Sequence, residues 1–382
     1  MKSKNDIAIS VKGRFEIFDI ASEINKNGRL YCLFSSYPKF FLRKYNIEDE
    51  KIYNYPLIEV LSRIFDSLIS RSLRFQIIDY ILVSIFEKLV ISKIKIKSNF
   101  KYFIGQSAFS YETFKFLKEN LPRKKIILYV ASTHIDEKIE ILRLKKTQIV
   151  SEIYYKKIKK EYEIADYIIC QSSHVQKSFI KRGFKNIYLN VSGVDINNFY
   201  YKKINIFDKN YFNILFVGNI NKRKGVPELI KLFKKLKIKN KRLYLIGPKN
   251  KDLEIDSYLN EEIKYLGKKE YNQLYKYYSN ADLMCLFSKE EGFSMVLGQC
   301  LSCGTPLIGS SVSGAQHFIK NPSYGYVYRE FNEKNIINKI NLIHENLEII
   351  RSNKKNLSSK FKLKHSWERS VTNLLKTIDK FI

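Results

Sequence analysis

The stretch "FVGNINKRKGVPELI", residues 216–230, decides how this chain is read. An apolar run ends at Gly218, a loop carries Lys222, Arg223 and Lys224, and Gly225 leads into a helix. Strand, glycine loop and helix in that order form the repeating unit of an open parallel sheet. A basic loop ahead of a helix N-terminus also suits a diphosphate, because side-chain charge and backbone N–H groups converge on one anion. Alone the signal is weak, since loops throughout this chain are basic.

Outward from that unit, β-rich runs alternate with helical patterns along the whole chain. "DIAISV" (6–11), "LYCLFS" (30–35), "YFIGQS" (102–107), "IILYVAS" (126–132), "YIICQS" (167–172) and "IYLNVS" (187–192) make one set. Amphipathic stretches at 16–27, 109–120, 150–165 and 173–182 separate them. "NILFVG" (213–218), "RLYLIG" (242–247), "IKYLG" (263–267), "LMCLFS" (283–288) and "PLIGSS" (306–311) make the second. Near-continuous apolar strands alternating with helices predict parallel sheets covered on both faces. Residues 194–212, polar, aromatic and aperiodic, read as the linker. The predicted domains are therefore 1–198 and 199–365, both Rossmann-like. A closing helix at about 366–382 starts at the N-cap candidate Ser366 and is expected to return to the first domain. Ligand sites of such sheets lie outside the carboxyl ends of the strands.

Bulk properties bound the function. At 382 residues the chain exceeds one ordinary core. Hydrophobic content of 45% with 28% charged residues excludes a disordered chain. No apolar run reaches the roughly 18 residues of a membrane span, and the start "MKSKNDIAIS" lacks the apolar core of a signal peptide. Five irregularly spaced cysteines point to a reducing cytosol. Cys300 and Cys303 form a C-x-x-C without a second pair, and read as buried small hydrophobes rather than a zinc site. The net charge of +30 suits an anionic partner: nucleic acid, an acidic membrane surface or a phosphorylated substrate. It equally suits a Lys-, Ile- and Asn-rich composition with lysines spread over the surface. Region 57–97 has the same two readings. Its stripe of Leu57, Leu61, Ile64 and Leu68, edged by Arg63, Arg71, Arg74, Lys88, Lys93 and Lys95, suits either an anionic bilayer or a core helix with a solvated face.

Two further stretches join the opening one. Gly267 and Lys268 follow a strand, where a flat base could approach bare backbone. "EEGFSMVLGQCLSCGTP" (290–306) places two acids before a Gly-Phe-Ser turn and an apolar helix carrying one amide, Gln299. Together with "LSCGTPLIGSSVSGAQHFI", these resemble the C-terminal domain of glycosyltransferase family 4, retaining sugar-nucleotide enzymes of the GT-B fold. That family reads glycine, basic loop, then E-G-F-G with a second glutamate completing E-x7-E, then small-Gly-x-Pro. Here Glu291 is the first acid and "CGTP" (303–306) the closing motif. "VKGRFEIFDIASEI", "SSYPKF" (35–40), "STH" (132–134) and "GVDINNF" (193–199) fall in the family's order in the first half. Two positions depart. Asn219 stands where the family often has Arg, with Arg223 available instead, and Gln299 replaces the second glutamate; both are similar to a polymer-synthesis subset of the family.

The resemblance implies a transfer that retains anomeric configuration and needs no metal or other cofactor, and the chain contains no Asp-x-Asp to hold one. It implies that Gly13, Gly218, Arg223, Lys224 and the Phe293–Ser294–Met295 helix start hold the donor diphosphate, with Arg14 a further candidate. It further places Gln299 at the ribose and Gly267 with Lys268 at the base. His134 is expected near the reacting carbon, and Glu291 on the donor-sugar hydroxyls, with Glu290 solvated. The implied partners are a nucleotide-sugar and a saccharide or lipid-linked acceptor in polysaccharide or glycoconjugate synthesis. The expected location is cytoplasmic, with or without peripheral attachment to the inner membrane face. The alternative is a catalytically silent nucleotide-sugar-binding or scaffold protein, since Asn219 and Gln299 each remove an expected charge. Nucleic-acid binding rests on charge alone.

Overall fold

Each apolar run becomes a strand of a parallel sheet in the computed structural model, which describes residues 4–13, 16–68, 78–143, 150–250 and 253–381, with the side chains of 66–68 outside the described set. Arg14, Arg71 and Arg74 lie outside the described residues, as does the Leu68 side chain. The first sheet uses β1 (Ile7–Val11), β2 (Leu30–Ser35), β3 (Ile52–Asn54), β4 (Tyr102–Gln106), β5 (Lys125–Val130), β6 (Tyr167–Cys170) and β7 (Ile187–Leu189). Their order is β3-β2-β1-β4-β5-β6-β7. The second uses β8 (Phe212–Val217), β9 (Lys241–Ile246), β10 (Ile263–Tyr265), β11 (Leu283–Leu286), β12 (Leu307–Ser310) and β13 (Gly325–Tyr328), ordered β10-β9-β8-β11-β12-β13. All the pairings are parallel. In each sheet the order reverses beside the first strand, the Rossmann-like switch point.

β1, β4 and β8 are buried along their whole length, which is why their sequences are apolar without alternation. The two strands that sequence patterning missed, β3 and β13, are short and sit at sheet edges, and β13 starts on a glycine. An edge strand buries less, so its sequence carries less signal.

The chain divides into Met1–Asn190 with Val371–Ile382, and Val191–Ser370. The predicted boundary at 198/199 and the predicted linker thus fall inside the second unit. The reason is its aromatics: Phe199 and Phe207 are buried in that unit's core, and Phe207 stacks on Tyr244 with centroids 3.8 Å apart. The closing helix, Trp367–Ile378, is capped as expected, the Ser366 hydroxyl accepting from the Arg369 N–H at 3.3 Å. Its C-terminal part and the residues after it belong to the first unit, where Phe381 stacks on Tyr167. Among the described residues no helix is long and apolar enough to cross a membrane.

Candidate active site

In the second unit, three neighbouring strands leave the sheet through glycine. Gly218 follows β8, Gly247 follows β9 and Gly267 follows β10, with φ of +150°, +139° and +71°. A Cβ on Gly247 would stand 1.9 Å from the Gly218 carbonyl oxygen, so no side chain fits there. The Gly218 N–H donates to the Ile246 carbonyl at 2.9 Å, and the Gly247 N–H to the Gly267 carbonyl at 3.0 Å. The result is an edge of bare backbone. Among the described residues, and beyond its own chain neighbours, nothing lies within 4 Å of where a Gly267 Cβ would be, and Lys268 beside it is exposed.

The basic loop is fixed next to this edge. The Asn221 side-chain oxygen accepts from the Lys224 N–H at 2.8 Å, and the Lys289 N–H donates to the Arg223 carbonyl at 2.9 Å. Gly225 takes φ +71° as the N-cap of the Val226–Lys235 helix, and a Cβ on it would collide with the Phe287 carbonyl at 2.1 Å. The loop therefore lies directly on the chain that leaves β11. That contact carries Arg223 to the acid doublet. Its Nη1 donates to the Glu290 carbonyl at 2.7 Å and to the Glu291 carboxylate at 3.1 Å, with a Glu290 carboxylate oxygen at 3.4 Å. The Lys224 ammonium pairs with the same Glu291 oxygen.

Both carboxylates are buried, which corrects one expectation: Glu290 is 2% exposed, not solvated. A buried carboxylate without a partner costs several kcal/mol, so the two acids and two cations stand as one compensated cluster. Nothing in the sequence separates the inner acid of a doublet from the outer one; the segment's path beneath Arg223 decides it.

The next residues build the helix start. Phe293 packs edge-on against Phe318 at 5.3 Å and leans on Gly314, where a Cβ would meet its ring at 2.7 Å. The Ser294 N–H donates to the Ser313 carbonyl at 3.0 Å. It is therefore already used, and the helix Met295–Ser302 can offer a ligand only the first-turn amides that follow, on Met295 and Val296. Gln299 is buried one turn further on, and its carbonyl accepts from the Tyr278 hydroxyl at 3.1 Å. Sequence reasoning missed Tyr278. It is buried in the core, and burial holds its pKa well above the ordinary tyrosine value, so it stays a donor. The Gln299 carbonyl thus has a protein partner. Cys300 and Cys303 are free and buried, and burial pushes the Cys303 thiol up to about 12. Among the described residues, no three His, Cys, Asp or Glu side chains are grouped to hold a metal.

Gly13 and His134 belong to the first unit. Gly13 turns at φ +89° and its N–H donates to the Ser36 hydroxyl at 2.8 Å. A cavity of about 540 Å³ opens at the carboxyl ends of β1, β4 and β5, lined by Lys12, Gly13, Ala108, Thr133 and Tyr154 among others. The His134 ring is not part of that lining. It is 2% exposed, caged by Tyr162, Phe179 and Phe184, with centroids 4.9, 5.1 and 5.8 Å away. Its Nδ1 accepts from the Asp136 N–H at 3.2 Å, so the imidazole is the N-cap of the Ile135–Leu142 helix. Burial lowers its pKa to about 4. Three aromatic rings from distant segments draw the ring inward.

The loop after β4 is held differently. Ala108 has φ +77°, a strained value for a residue with a Cβ. Buried Glu161 accepts from the Ala108 and Ser110 N–H groups, both at 2.7 Å, and the Tyr154 hydroxyl donates to the Ala108 carbonyl at 2.6 Å.

Residues 198–359 match the family model described as glycosyl transferases group 1. The uncharacterized glycosyltransferase MJ1069 of Methanocaldococcus jannaschii is 24% identical over 94% of this chain and 91% of that relative. The capsular polysaccharide biosynthesis glycosyltransferase CapM of Staphylococcus aureus is 28% identical over 41% of this chain and 44% of its own. The crystal structure of Anabaena HepE in complex with UDP-glucose superposes with a TM-score of 0.65 at 15% identity, covering 98% of this chain and 100% of that one. Two Rossmann-like units and the strand-end motifs of the second agree with these likenesses: the chain is a glycosyltransferase of the GT-B fold whose residues 198–359 match the group 1 glycosyl transferases.

Proposed function

We propose that the protein is a retaining, metal-independent glycosyltransferase of family 4, moving a sugar from a nucleotide-sugar to a saccharide or lipid-linked acceptor in polysaccharide or glycoconjugate synthesis. The observation that carries this reading is the cluster of Arg223 and Lys224 on Glu290 and Glu291 at the carboxyl edge of the second sheet. Arg223 reaches both acids through Nη1, so the rest of its fork can take a diphosphate. Lys224 moves from Glu291 to the same anion, which frees the carboxylate to accept from donor-sugar hydroxyls. The departing diphosphate then meets two cations and the Met295 and Val296 amides, in place of a divalent ion.

With those groups bearing the leaving-group charge, the phosphate oxygen that departs can take the acceptor's proton on the same face. No separate base is needed, which agrees with the inward placement of His134. The bare backbone at Gly267 accommodates a flat base, and the Gln299 amide donates to a ribose oxygen. The HepE complex with UDP-glucose supports a nucleotide-sugar donor, and the likeness to CapM supports a polymer product. The test is turnover of a nucleotide-sugar panel with and without chelator, the product's anomeric configuration being read by NMR. Turnover that survives the chelator and gives a retained configuration is expected. Loss with chelator, or an inverted product, contradicts the reading.

A further inference from the structure

The helix Asp79–Ile94 is apolar on both faces. Its inner face sets Leu82, Val83, Phe86, Val90 and Ile94 into the first unit's core. On its outer face Ile81, Ile85 and Leu89 stand at successive turns, each at least a third exposed. A surface helix ordinarily carries charge there. Both acids of this helix point inward instead. Asp79 is buried with Lys12 at 3.7 Å, and Glu87 is buried against Lys157 at 2.6 Å. The charges on and just beyond the outer face are exposed Lys88 and Lys95.

The neighbouring helix Pro56–Leu68 extends this surface with Leu57, Val60 and Ile64, all exposed, and its Glu59 is neutralised by Arg63 at 3.0 Å. The Tyr55 hydroxyl donates to the Leu89 carbonyl at 3.2 Å, fastening the start of that helix beside the stripe. Leu57 and Ile64, read from sequence as either a core or a bilayer stripe, are thus on the outside.

At its C-terminal end the stripe runs into a cavity of about 1080 Å³ at the amino ends of the strands, the opposite edge from the cavity described above. Ile96, itself 76% exposed, and Lys97 contribute to its wall, with Lys101, Lys124 and Tyr53. Asp6 and exposed Glu50 also line it; Arg29 holds both Asp6 oxygens at 2.6 and 2.8 Å, and the lysines of the wall (Lys4, Lys51, Lys97, Lys101 and Lys124) outnumber Glu50.

We propose that this face of the first unit docks on an anionic lipid bilayer, the aliphatic stripe entering the interface and the lysine cavity receiving headgroup phosphates. The two features act on one target. Protruding aliphatic side chains gain by leaving water, while lysines beside them are drawn to a negative surface. Charge complementarity selects the bilayer: among the described side chains of the two helices, Glu59, Asp79 and Glu87 are each buried or paired. A nucleic acid would use the lysines and leave the aliphatic stripe in water. The proposal is independent of the reaction carried by the second unit.

The experiment is flotation of the full chain with vesicles of phosphatidylcholine alone and of phosphatidylcholine mixed with phosphatidylglycerol, at physiological ionic strength. Co-flotation with the mixed vesicles only is expected. Ile85→Ser with Leu89→Ser is expected to weaken partitioning about tenfold or more. Lys97→Gln with Lys101→Gln is expected to weaken it and flatten its salt dependence. Unchanged thermal unfolding in each variant shows that the fold is intact. Failure of the wild type to float with anionic vesicles, or flotation of folded variants equal to it, overturns the proposal. Retention of RNA in place of vesicles overturns it as well.

Discussion

The two units solve one problem in opposite ways. Both must present a strand-end loop to a ligand from the carboxyl edge of a parallel sheet. In the second unit the loop is tied by a largely buried ion cluster, Arg223 and Lys224 on Glu290 and Glu291, whose cations can be handed to an incoming anion. In the first unit the corresponding work is done from beneath, by Glu161 accepting two backbone N–H groups of the β4 exit loop, and the cavity above mixes apolar and aromatic side chains with charged ones such as Lys12, Asp79 and Lys138. An exchangeable cluster suits a ligand whose charge changes during reaction. A loop fixed from below suits one held by shape. Under the proposed function, the contrast lets one architecture carry a charged donor site in the second unit and an acceptor site in the first.

Removing the exchangeable cations should produce the largest effect. Arg223→Ala with Lys224→Ala is expected to lower nucleotide-sugar turnover about 10²- to 10⁴-fold, the range for losing groups that stabilise developing charge. Steady-state kinetics on folded protein checks this, and turnover within a few-fold of wild type would break the assignment.

Glu161→Gln turns the comparison around. The new amide places an N–H₂ against a backbone N–H, so stability should fall by about 1–3 kcal/mol while nucleotide affinity stays as it was. Denaturant melts paired with nucleotide titration separate the two. Equal losses in both would mean the loop and the donor site are one system.

His134→Ala is expected to cost about 2 kcal/mol of stability, from a lost helix cap and lost ring packing, with turnover per folded molecule nearly unchanged. A drop of about 10² or more in kcat without loss of stability would instead return the imidazole to a role in acid–base chemistry.

The smallest effect is in pH. Burial lowers His134, His317 and His365 to about 4 from an ordinary value of 6.5. Between those values the unfolded chain holds protons that the folded chain does not, so stability falls as pH drops from 6.5 toward 4. Burial raises Glu161 from 4.5 to about 8, where the folded chain holds the extra proton, so its contribution is lost as pH rises through 8. Thermal unfolding against pH should therefore peak near neutrality. Glu161→Gln should remove the decline on the alkaline side only.

Much of this was legible in the sequence because burial on both faces writes a strand as an unbroken apolar run. β1, β4, β8 and β11 are of that kind, and the glycines at 218, 225 and 267 mark where chain exits need backbone alone. The edge strands β3 and β13 bury too little to leave such a trace. The 194–212 segment looked like a linker because its aromatics follow no period; they are irregular because they fill gaps in a core already built. Arg223 and Lys224 were legible as a basic loop ahead of a helix start, and Glu291 through the family resemblance. The inward turn of Glu290, the Tyr278 hydroxyl on Gln299 and the cage around His134 were not, since each depends on side chains far away in sequence.

The central claim is that Arg223 and Lys224 leave Glu291 for a diphosphate. Calorimetric titration of wild type and of Arg223→Ala with Lys224→Ala, using the nucleoside diphosphate and monophosphate of the preferred donor, tests it most directly. The account predicts that wild type binds the diphosphate at least about tenfold more tightly, and that the gap closes in the double variant. Equal affinity of wild type for both nucleotides, or a gap that survives the double substitution, would contradict it.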